Sequence, residues 1–189
     1  VMETVFVENE ADLSDGVFSR DVIVKPAISA GSNNTVRYKN DVAGATEHAR
    51  KLLVNGIAVL AQPYQSAIDE YGETGLVYLA GQFSHAFRKA PIFADTDQNH
   101  NGLYVVEEIT LRIPSAAERA FGDKVVAFVK NKFGSSPLYA RVDMVVNADG
   151  VPELMELELT EPSLFLHLDD ESPARAAMAF ANAAATNER

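Results

Sequence analysis

The sequence contains no cysteine, so disulfide bonds and thiolate chemistry are excluded. It also lacks an apolar run long enough to cross a membrane, and we therefore expect no membrane partner. The first residues, Val1-Met-Glu-Thr, have neither the basic region nor the long apolar region of a signal peptide. Together these absences favour a cytoplasmic location.

Basic residues are few, because 16 Lys and Arg stand against 27 Asp and Glu and give a formal net charge of −11. A chain of this charge repels nucleic acid, so we expect no nucleic-acid partner. A nucleotide can still bind where local cations and Mg²⁺ offset its phosphates. The positions of the basic residues therefore matter more than their number.

Patterns for zinc sites and for side-chain nucleophiles are also missing. No Gly-x-Ser-x-Gly or Cys/His arrangement supports nucleophilic catalysis. The histidines show no metal-ligand spacing, which excludes zinc; they are His48, His85, His100 and His167.

What the sequence does contain is a predicted β-hairpin with four charged residues on one face. Its strands are Leu138–Val146 and Val151–Leu159, and Asp149-Gly150 between them is a strong signal for a two-residue turn. That turn pairs Ala148 with Val151. Because strand side chains alternate between faces, the charged side chains fall together and Met155 falls on the opposite face. The charged residues are Arg141, Asp143, Glu156 and Glu158.

The predicted register creates a conflict of charge across the hairpin. It places Asp143 opposite Glu156 and Arg141 opposite Glu158, while a four-residue loop would change the pairs but keep the shared face. Like charges directly opposite destabilise a sheet, so we expect a cation between Asp143 and Glu156. Clustered carboxylate oxygens suit a hard cation such as Mg²⁺. The alternative is an amphipathic hairpin with a solvated acidic face.

The remaining segments predict an α+β protein whose strands are mostly joined as hairpins. Two helices carry clear end signals: one stops at Asn55-Gly56, and one starts with the capping box Ser115-Ala-Ala-Glu118. Ser172-Pro173 opens a closing helix. The predicted strands, apart from the hairpin, are Val5–Val7, Asp21–Lys25, Thr35–Tyr38, Ile57–Ala61, Gly75–Ala80 and Gln82–Arg88. The stretch Ala94–Gly102 is predicted as a loop.

Two segments are candidates for handling phosphates. Lys25 ends a strand and enters a small, polar loop whose backbone amides could hold phosphates, although it is not a Walker A loop. The second is Ser84–Lys89, where alternation places His85, Phe87 and Lys89 on one face. Each has an ordinary alternative, a structural hairpin loop for the first and a solvated strand end for the second.

Taken in their order along the chain, the motifs resemble those of the ATP-grasp superfamily, and the resemblance covers nearly the whole chain. Within it they are most similar to the branch with the O-ureido-serine cyclo-ligase of cycloserine biosynthesis, near the glutathione-synthetase-like and RimK-like ligases. The runs that carry the resemblance are Val24-Lys-Pro-Ala-Ile-Ser-Ala-Gly-Ser32, Gly72-Glu-Thr-Gly-Leu76, Ser84-His-Ala-Phe-Arg-Lys89, Arg141-Val-Asp143 and Glu156-Leu-Glu158-Leu-Thr-Glu-Pro-Ser-Leu-Phe165.

The resemblance implies two α+β lobes with mainly antiparallel sheets that hold ATP between them. It implies a small lobe over residues 1–62 and a large lobe over residues 63–189. Complete relatives carry a further N-terminal substrate domain, which we expect to lie upstream of Val1. We therefore expect this chain to be inactive alone.

The resemblance also implies roles for individual residues. Lys25 would contact the α- and β-phosphates, and Glu73 the ribose. Arg141 would face the charge that develops on the reacting carbonyl, and Lys89 the phosphates. The phosphate-covering loop would comprise Ser29, Ala30, Gly31, Ser32 and Asn33. The adenine-reading hinge would comprise Gln62, Pro63 and Tyr64. The Mg²⁺ ligands, which would also accept Mn²⁺, would be Asp143, Glu156 and Glu158.

The implied activity is that of an ATP-dependent carboxylate–amine ligase or cyclo-ligase. A small-molecule carboxylate would attack ATP to give an acyl phosphate, and an amine or similar nucleophile would displace phosphate. Two alternatives stay open at this point: a non-catalytic nucleotide-binding or regulatory module of the same fold, and a structural domain with a solvated acidic hairpin.

Overall fold

A computed structural model describes residues 1–14, 16–18, 21–29, 33–91 and 108–187. The described residues form two compact units. The first is Val1–Ser66, and the second comprises Ala67–Pro91 and the described residues from Glu108 onward. The predicted loop Ala94–Gly102 lies outside the described residues.

The first unit is a four-stranded antiparallel sheet covered on one face by a helix. The strand order is β1-β4-β2-β3. The strands are β1 (Val5–Val7), β2 (Val22–Pro26), β3 (Val36–Tyr38) and β4 (Val59–Pro63), and the helix is α1 (Val42–Val54). A 3₁₀ turn covers Glu10–Asp12.

Alternation along β2 and β4 determines which face of this sheet α1 covers. Val24 and Val59 are fully buried in the core between sheet and helix. Lys25 and Gln62 each lie one position after a core residue of their own strand. Both therefore belong to the opposite face of the sheet. The predicted end of α1 is confirmed, because Asn55 caps it and Gly56 follows with φ 73°.

The second unit is a five-stranded antiparallel sheet of order β7-β6-β5-β8-β9. Its strands are β5 (Glu73–Leu79), β6 (Gln82–Lys89), β7 (Ile109–Arg112), β8 (Tyr139–Val146) and β9 (Pro152–Glu158). Its helices are α2 (Ala67–Tyr71), α3 (Ala116–Phe133) and α4 (Ser172–Asn187), and a 3₁₀ turn covers Leu166–Leu168. The prediction of an α+β protein with mainly antiparallel sheets is confirmed. Of the described helices, none is both long and apolar enough for a membrane span.

Helix α3 begins and ends as its sequence predicts. Ser115 and Glu118 form the capping box, and Gly134 ends the helix with φ 79°. The helix packs on one face of the sheet, where Leu76 and Val142 are fully buried. The other face of this sheet is therefore the one available to the charged residues.

The hairpin of β8 and β9 keeps the predicted charge pairs, but the predicted turn is wrong. The Asn147 amide donates to the Val151 carbonyl (3.0 Å), so the loop has three residues instead of two. A register shift after Asp143 then compensates, because Met144 pairs with Leu154 whereas Asp143 pairs with Glu156. Met155 is the extra residue of this bulge.

Because of the bulge, the predicted apolar face of β9 is wrong at Met155. Leu154 and Leu157, rather than Met155 and Leu157, pack on the core beneath α3. The extra residue shifts the alternation by one position. Leu154 and Glu156, on either side of Met155, therefore lie on opposite faces of the sheet, although strict alternation would place them on the same face.

Candidate functional site

Three carboxylates come together on the face of the second sheet opposite α3. Asp143 pairs with Glu156 across the hairpin, and Arg141 pairs with Glu158. One oxygen from each of the three carboxylates lies within 4.8 Å of the others. Asp143 is 1% exposed, Glu158 is half-buried and Glu156 is exposed, so the cluster extends from the sheet to its surface.

Asp143 is held by two basic side chains, Lys89 from β6 and Arg141 from its own strand, β8. The Lys89 Nζ donates to Asp143 Oδ2 at 2.7 Å and lies 3.7 Å from Glu73 Oε2. The Arg141 Nε donates to both Asp143 oxygens, at 2.9 and 3.1 Å, and its Nη2 donates to Oδ2 at 2.8 Å. Arg141 also donates to Glu158 through Nη2 and to the Ser163 carbonyl through Nη1, the latter at 3.2 Å.

These contacts change the proton affinities of the site. Burial alone would lower the pKa of Lys89, but the charges of Asp143 and Glu73 raise it above its ordinary value. Burial raises the pKa of Glu158, and the nearby Asp143 and Glu156 raise it further against the opposing effect of Arg141. Lys89 therefore stays charged, and a cation near Glu158 would favour the ionised form of that carboxyl group.

Strand pairing explains how residues distant in sequence meet here. Glu73 at the start of β5 pairs with Lys89 at the end of β6, and Gly75 pairs with Asp143. Gly75 has a packing role that the sequence did not reveal. A Cβ at this position would lie 2.3 Å from the Phe87 ring, so the absence of a side chain allows that ring to lie against β5.

Two residues of the first unit that are predicted to contact the nucleotide lie on the sheet face away from α1. Lys25 and Gln62 share this face by register. The buried Gln62 donates through Nε2 to Thr4 Oγ1 (2.9 Å). The Tyr64 amide donates to the Asp21 carbonyl (2.9 Å), so it is already engaged within the sheet.

Arg37, a charged residue for which the sequence predicted no role, lies on the same face. It pairs with Ile23, which pairs in turn with Gln62. Its guanidinium donates to both oxygens of Asp21, at 2.9 and 2.7 Å, and lies 3.5 Å from the centre of the Tyr64 ring. The fixed guanidinium therefore orients the Tyr64 side chain.

The predicted phosphate loop is described only at its two ends. The Ser29 hydroxyl donates to the Asn33 carbonyl (3.0 Å), and both residues are exposed. Ala30, Gly31 and Ser32 lie outside the described residues. The described site residues thus form two groups. The group in the first unit is Lys25, Ser29, Asn33, Gln62, Pro63 and Tyr64. The group in the second unit is Glu73, Lys89, Arg141, Asp143, Glu156 and Glu158.

Solved structures identify the fold. The chain matches the D-alanine–D-alanine ligase of Bacillus anthracis complexed with ATP, with a TM-score of 0.62 and 16% identity over 95% of this chain and 57% of that one. It also matches the ATP-grasp ligase PsnB, solved with a minimal precursor, Mg and ADP, with a TM-score of 0.60 and 18% identity over 99% of this chain and 54% of that one. No protein-family model matches. The chain has the ATP-grasp fold.

Within that fold, the chain resembles D-cycloserine synthetase. The crystal structure of D-cycloserine synthetase DcsG matches with a TM-score of 0.85 and 30% identity over 96% of this chain and 64% of that one. The cycloserine biosynthesis protein DcsG of Streptomyces lavendulae is 34% identical over 166 residues, which are 86% of this chain and 55% of the relative. The chain therefore spans about half the length of this curated relative.

Proposed function

We propose that this chain is the ATP-binding part of an ATP-dependent ligase that activates a small-molecule carboxylate as an acyl phosphate. The observation that carries the proposal is the cluster of Asp143, Glu156 and Glu158, with Lys89 and Arg141 on the same sheet face. Relatives with the same fold were solved with ATP and with Mg and ADP.

The donor set fits a hard divalent cation. Three carboxylate oxygens within 4.8 Å of one another match the ligands that Mg²⁺ and Mn²⁺ prefer, and they would be Asp143, Glu156 and Glu158. A cation held there would neutralise phosphate charge. With ATP present, Lys89 would exchange Asp143 for a phosphate oxygen, which is likewise an anionic acceptor.

The first unit would supply the other contacts to the nucleotide. Lys25 would contact the α- and β-phosphates, and the loop from Ser29 to Asn33 would cover the β- and γ-phosphates. Gln62, Pro63 and Tyr64 would form the adenine-reading hinge, and Glu73 of the second unit would bind the ribose. We propose that the two compact units are the two ATP-grasp lobes.

The proposed reaction brings two anions together, which explains the need for fixed positive charge. A carboxylate oxygen forms a bond to the γ-phosphorus as the bond to ADP breaks, and an amine or similar nucleophile then displaces phosphate from the acyl phosphate. Arg141 would stabilise charge on the reacting carbonyl. Fixed charges in the correct positions can accelerate such a reaction without a nucleophilic side chain.

ADP formation that depends on an added carboxylate, measured on the whole protein, tests this function. We expect Arg141→Ala to lower turnover by about a hundredfold or more, by analogy with the loss of an oxyanion donor. A loss of less than about threefold would contradict the role of Arg141. Binding of Mg²⁺–ATP with no turnover for any carboxylate tested would instead favour the non-catalytic nucleotide-binding module.

A further inference from the structure

His85 is a buried histidine on the same sheet face as the carboxylate cluster. It lies in β6, is 3% exposed and precedes Phe87 and Lys89 on that face. Lys89 contacts Asp143 directly, whereas both ring nitrogens of His85 are engaged elsewhere. The Nε2 of His85 bonds to the chain segment that follows β9.

The neighbours of His85 determine which ring nitrogen carries the proton. Nε2 lies 2.8 Å from the Leu164 carbonyl oxygen, which can only accept, so Nε2–H donates. Nδ1 lies 3.0 Å from Ser84 Oγ, which accepts from Arg175 Nε at 3.0 Å. The serine hydroxyl can then donate to Nδ1, which is the arrangement of a neutral imidazole. Burial also lowers the pKa of His85.

The segment Ser163–Phe165 connects His85 to Arg141. The Ser163 carbonyl accepts from Arg141 Nη1 (3.2 Å), the next carbonyl accepts from His85, and the Phe165 ring packs edge-on against Phe87 at 4.6 Å between ring centres. Phe165 has φ 47°, a left-handed conformation that an aromatic residue adopts only when its surroundings hold it there. Side chains of β6 therefore hold this segment against the guanidinium.

We propose that His85 is a positioning residue that holds the Ser163 carbonyl against Arg141 and so fixes the orientation of its guanidinium. Asp143 and Glu158 accept from Nε and Nη2, whereas Ser163 is the acceptor for Nη1. Without the bond from His85, the Leu164 carbonyl loses its hydrogen-bond donor, and the adjacent Ser163 carbonyl is no longer held against Nη1. The effect on catalysis rests on the proposed function, but the effect on the guanidinium does not.

The ¹⁵N–¹H resonance of the Arg141 Nη1 group, which donates to the Ser163 carbonyl, tests the positioning directly, and Arg141→Lys assigns it. In His85→Phe we expect this resonance to shift and its protons to exchange about tenfold faster, as the loss of one hydrogen bond implies. His85→Gln keeps a donor of similar reach and should largely restore the wild-type resonance. Ser84→Ala removes only the hydroxyl beside Nδ1 and should give a smaller change in the same direction.

Ser172→Ala is the matched control. The buried Ser172 donates to the Leu166 carbonyl (2.7 Å), two residues beyond Leu164, so the variant loosens the same region without touching the bond from His85. We expect it to leave the Arg141 resonance and exchange rate within about twofold of wild type, because it removes no neighbour of the guanidinium.

Turnover supplies the second readout. In the whole protein, His85→Phe should lower turnover at least about tenfold through misplacement of Arg141, with the Kd for Mg²⁺–ATP within about twofold of wild type. An unchanged Arg141 resonance in both His85→Phe and Ser84→Ala would overturn the inference, as would equal changes in Ser172→Ala. If the resonance responds as expected but no ligase activity exists, the positioning stands and the proposed function fails.

Discussion

Asp143 is the residue on which the site depends. It is 1% exposed, and it accepts hydrogen bonds from Lys89 and from two nitrogens of Arg141. A buried carboxylate is tolerated only when its charge is compensated by such partners. The same partners that compensate the charge of Asp143 are the ones proposed to serve the reaction.

Lys89→Met tests this compensation. The variant keeps the length of the side chain but leaves Asp143 with Arg141 alone, so we expect the free energy of unfolding to fall by about 1–3 kcal/mol. Urea unfolding without Mg²⁺ and nucleotide measures the change. Lys124→Met, at an exposed position of α3, is the control and should change stability by less than about 0.5 kcal/mol. Equal stability of the two variants would show that the buried ion pair contributes nothing.

The sequence predicted which residues form this site better than it predicted the ion pairs between them. Alternation alone placed Arg141 and Asp143 on one face, and the structure has them there. The ion pair of Lys89 with Asp143 joins residues 54 positions apart, and it depends on β5 lying between β6 and β8. A strand order of this kind is not encoded in the local pattern of any one strand.

At the scale of elements, the hairpin shows how a wrong turn can still give a correct register. Asp149-Gly150 predicted two loop residues, but Asn147 Oδ1 accepts from the amides of Asp149 and Val151 and stabilises a longer loop. The bulge at Met155 then restores the pairing of Asp143 with Glu156. The bulge has no Gly or Pro as a sequence signal, so the sequence could not reveal it.

Glu118 joins helix α3 to the sheet and carries a pH prediction. It accepts from the Ser115 amide (2.7 Å), from the Thr74 hydroxyl (2.7 Å) and from Arg112 (3.1 Å). Burial alone would raise the pKa of Glu118, but these bonds together lower it below the ordinary value of 4.5. Its contribution to stability is therefore complete above pH 4.5 and is lost as the pH falls through the folded pKa.

Glu118→Gln should accordingly lower the free energy of unfolding by about 1–3 kcal/mol at neutral pH, with the difference from wild type narrowing below pH 4.5. Denaturant unfolding across this pH range measures it. Glu171→Gln changes a carboxylate whose side chain is 88% exposed and should differ from wild type by less than about 0.5 kcal/mol throughout. A difference for Glu118→Gln that widens on acidification would contradict the assigned direction of the pKa shift.

Gly122 allows α3 to approach the sheet. A Cβ here would lie 2.5 Å from Leu76 Cδ1 and 2.5 Å from Tyr78 Oη. Ala improves helix propensity by about 1 kcal/mol, whereas overpacking costs about 1–3 kcal/mol, so we expect Gly122→Ala to reduce stability. Asn131→Ala, at an exposed position of the same helix, should stabilise by about 0.5 kcal/mol and reports propensity alone. A raised Tm for Gly122→Ala would show that the helix can shift freely.

At the scale of the whole molecule, the fold class followed from the sequence, and two short elements did not. Strands with alternating patterns and helices with clear caps were predicted close to their observed bounds. Helix α2 has five residues and β7 has four, which is too short for a recognisable period. The ATP-grasp resemblance, by contrast, depended on the order of several motifs along the chain, and the matching structures confirm it.

A chain with a net charge of −11 can attract ATP only where its basic residues are grouped or a cation is bound. The carboxylate of Asp143 offsets part of the positive charge of Lys89 and Arg141, so the phosphates need a further source of positive charge. We therefore expect ATP binding to depend on a divalent cation at the carboxylate cluster. This dependence on a cation is a property of the whole molecule, because the negative net charge of the chain repels the negatively charged ATP.

Isothermal titration of this chain with ATP, with and without Mg²⁺, tests whether the carboxylate cluster binds the cation that ATP needs. We expect binding that requires Mg²⁺ and is weakened at least about tenfold by Glu156→Gln, because the Glu156 side chain supplies one of the clustered oxygens. Asp149→Asn removes a charge from the exposed loop of the same hairpin and should leave affinity unchanged. Equal affinity of wild type and Glu156→Gln for ATP, or ATP binding that is independent of Mg²⁺, would contradict a cation site at this cluster.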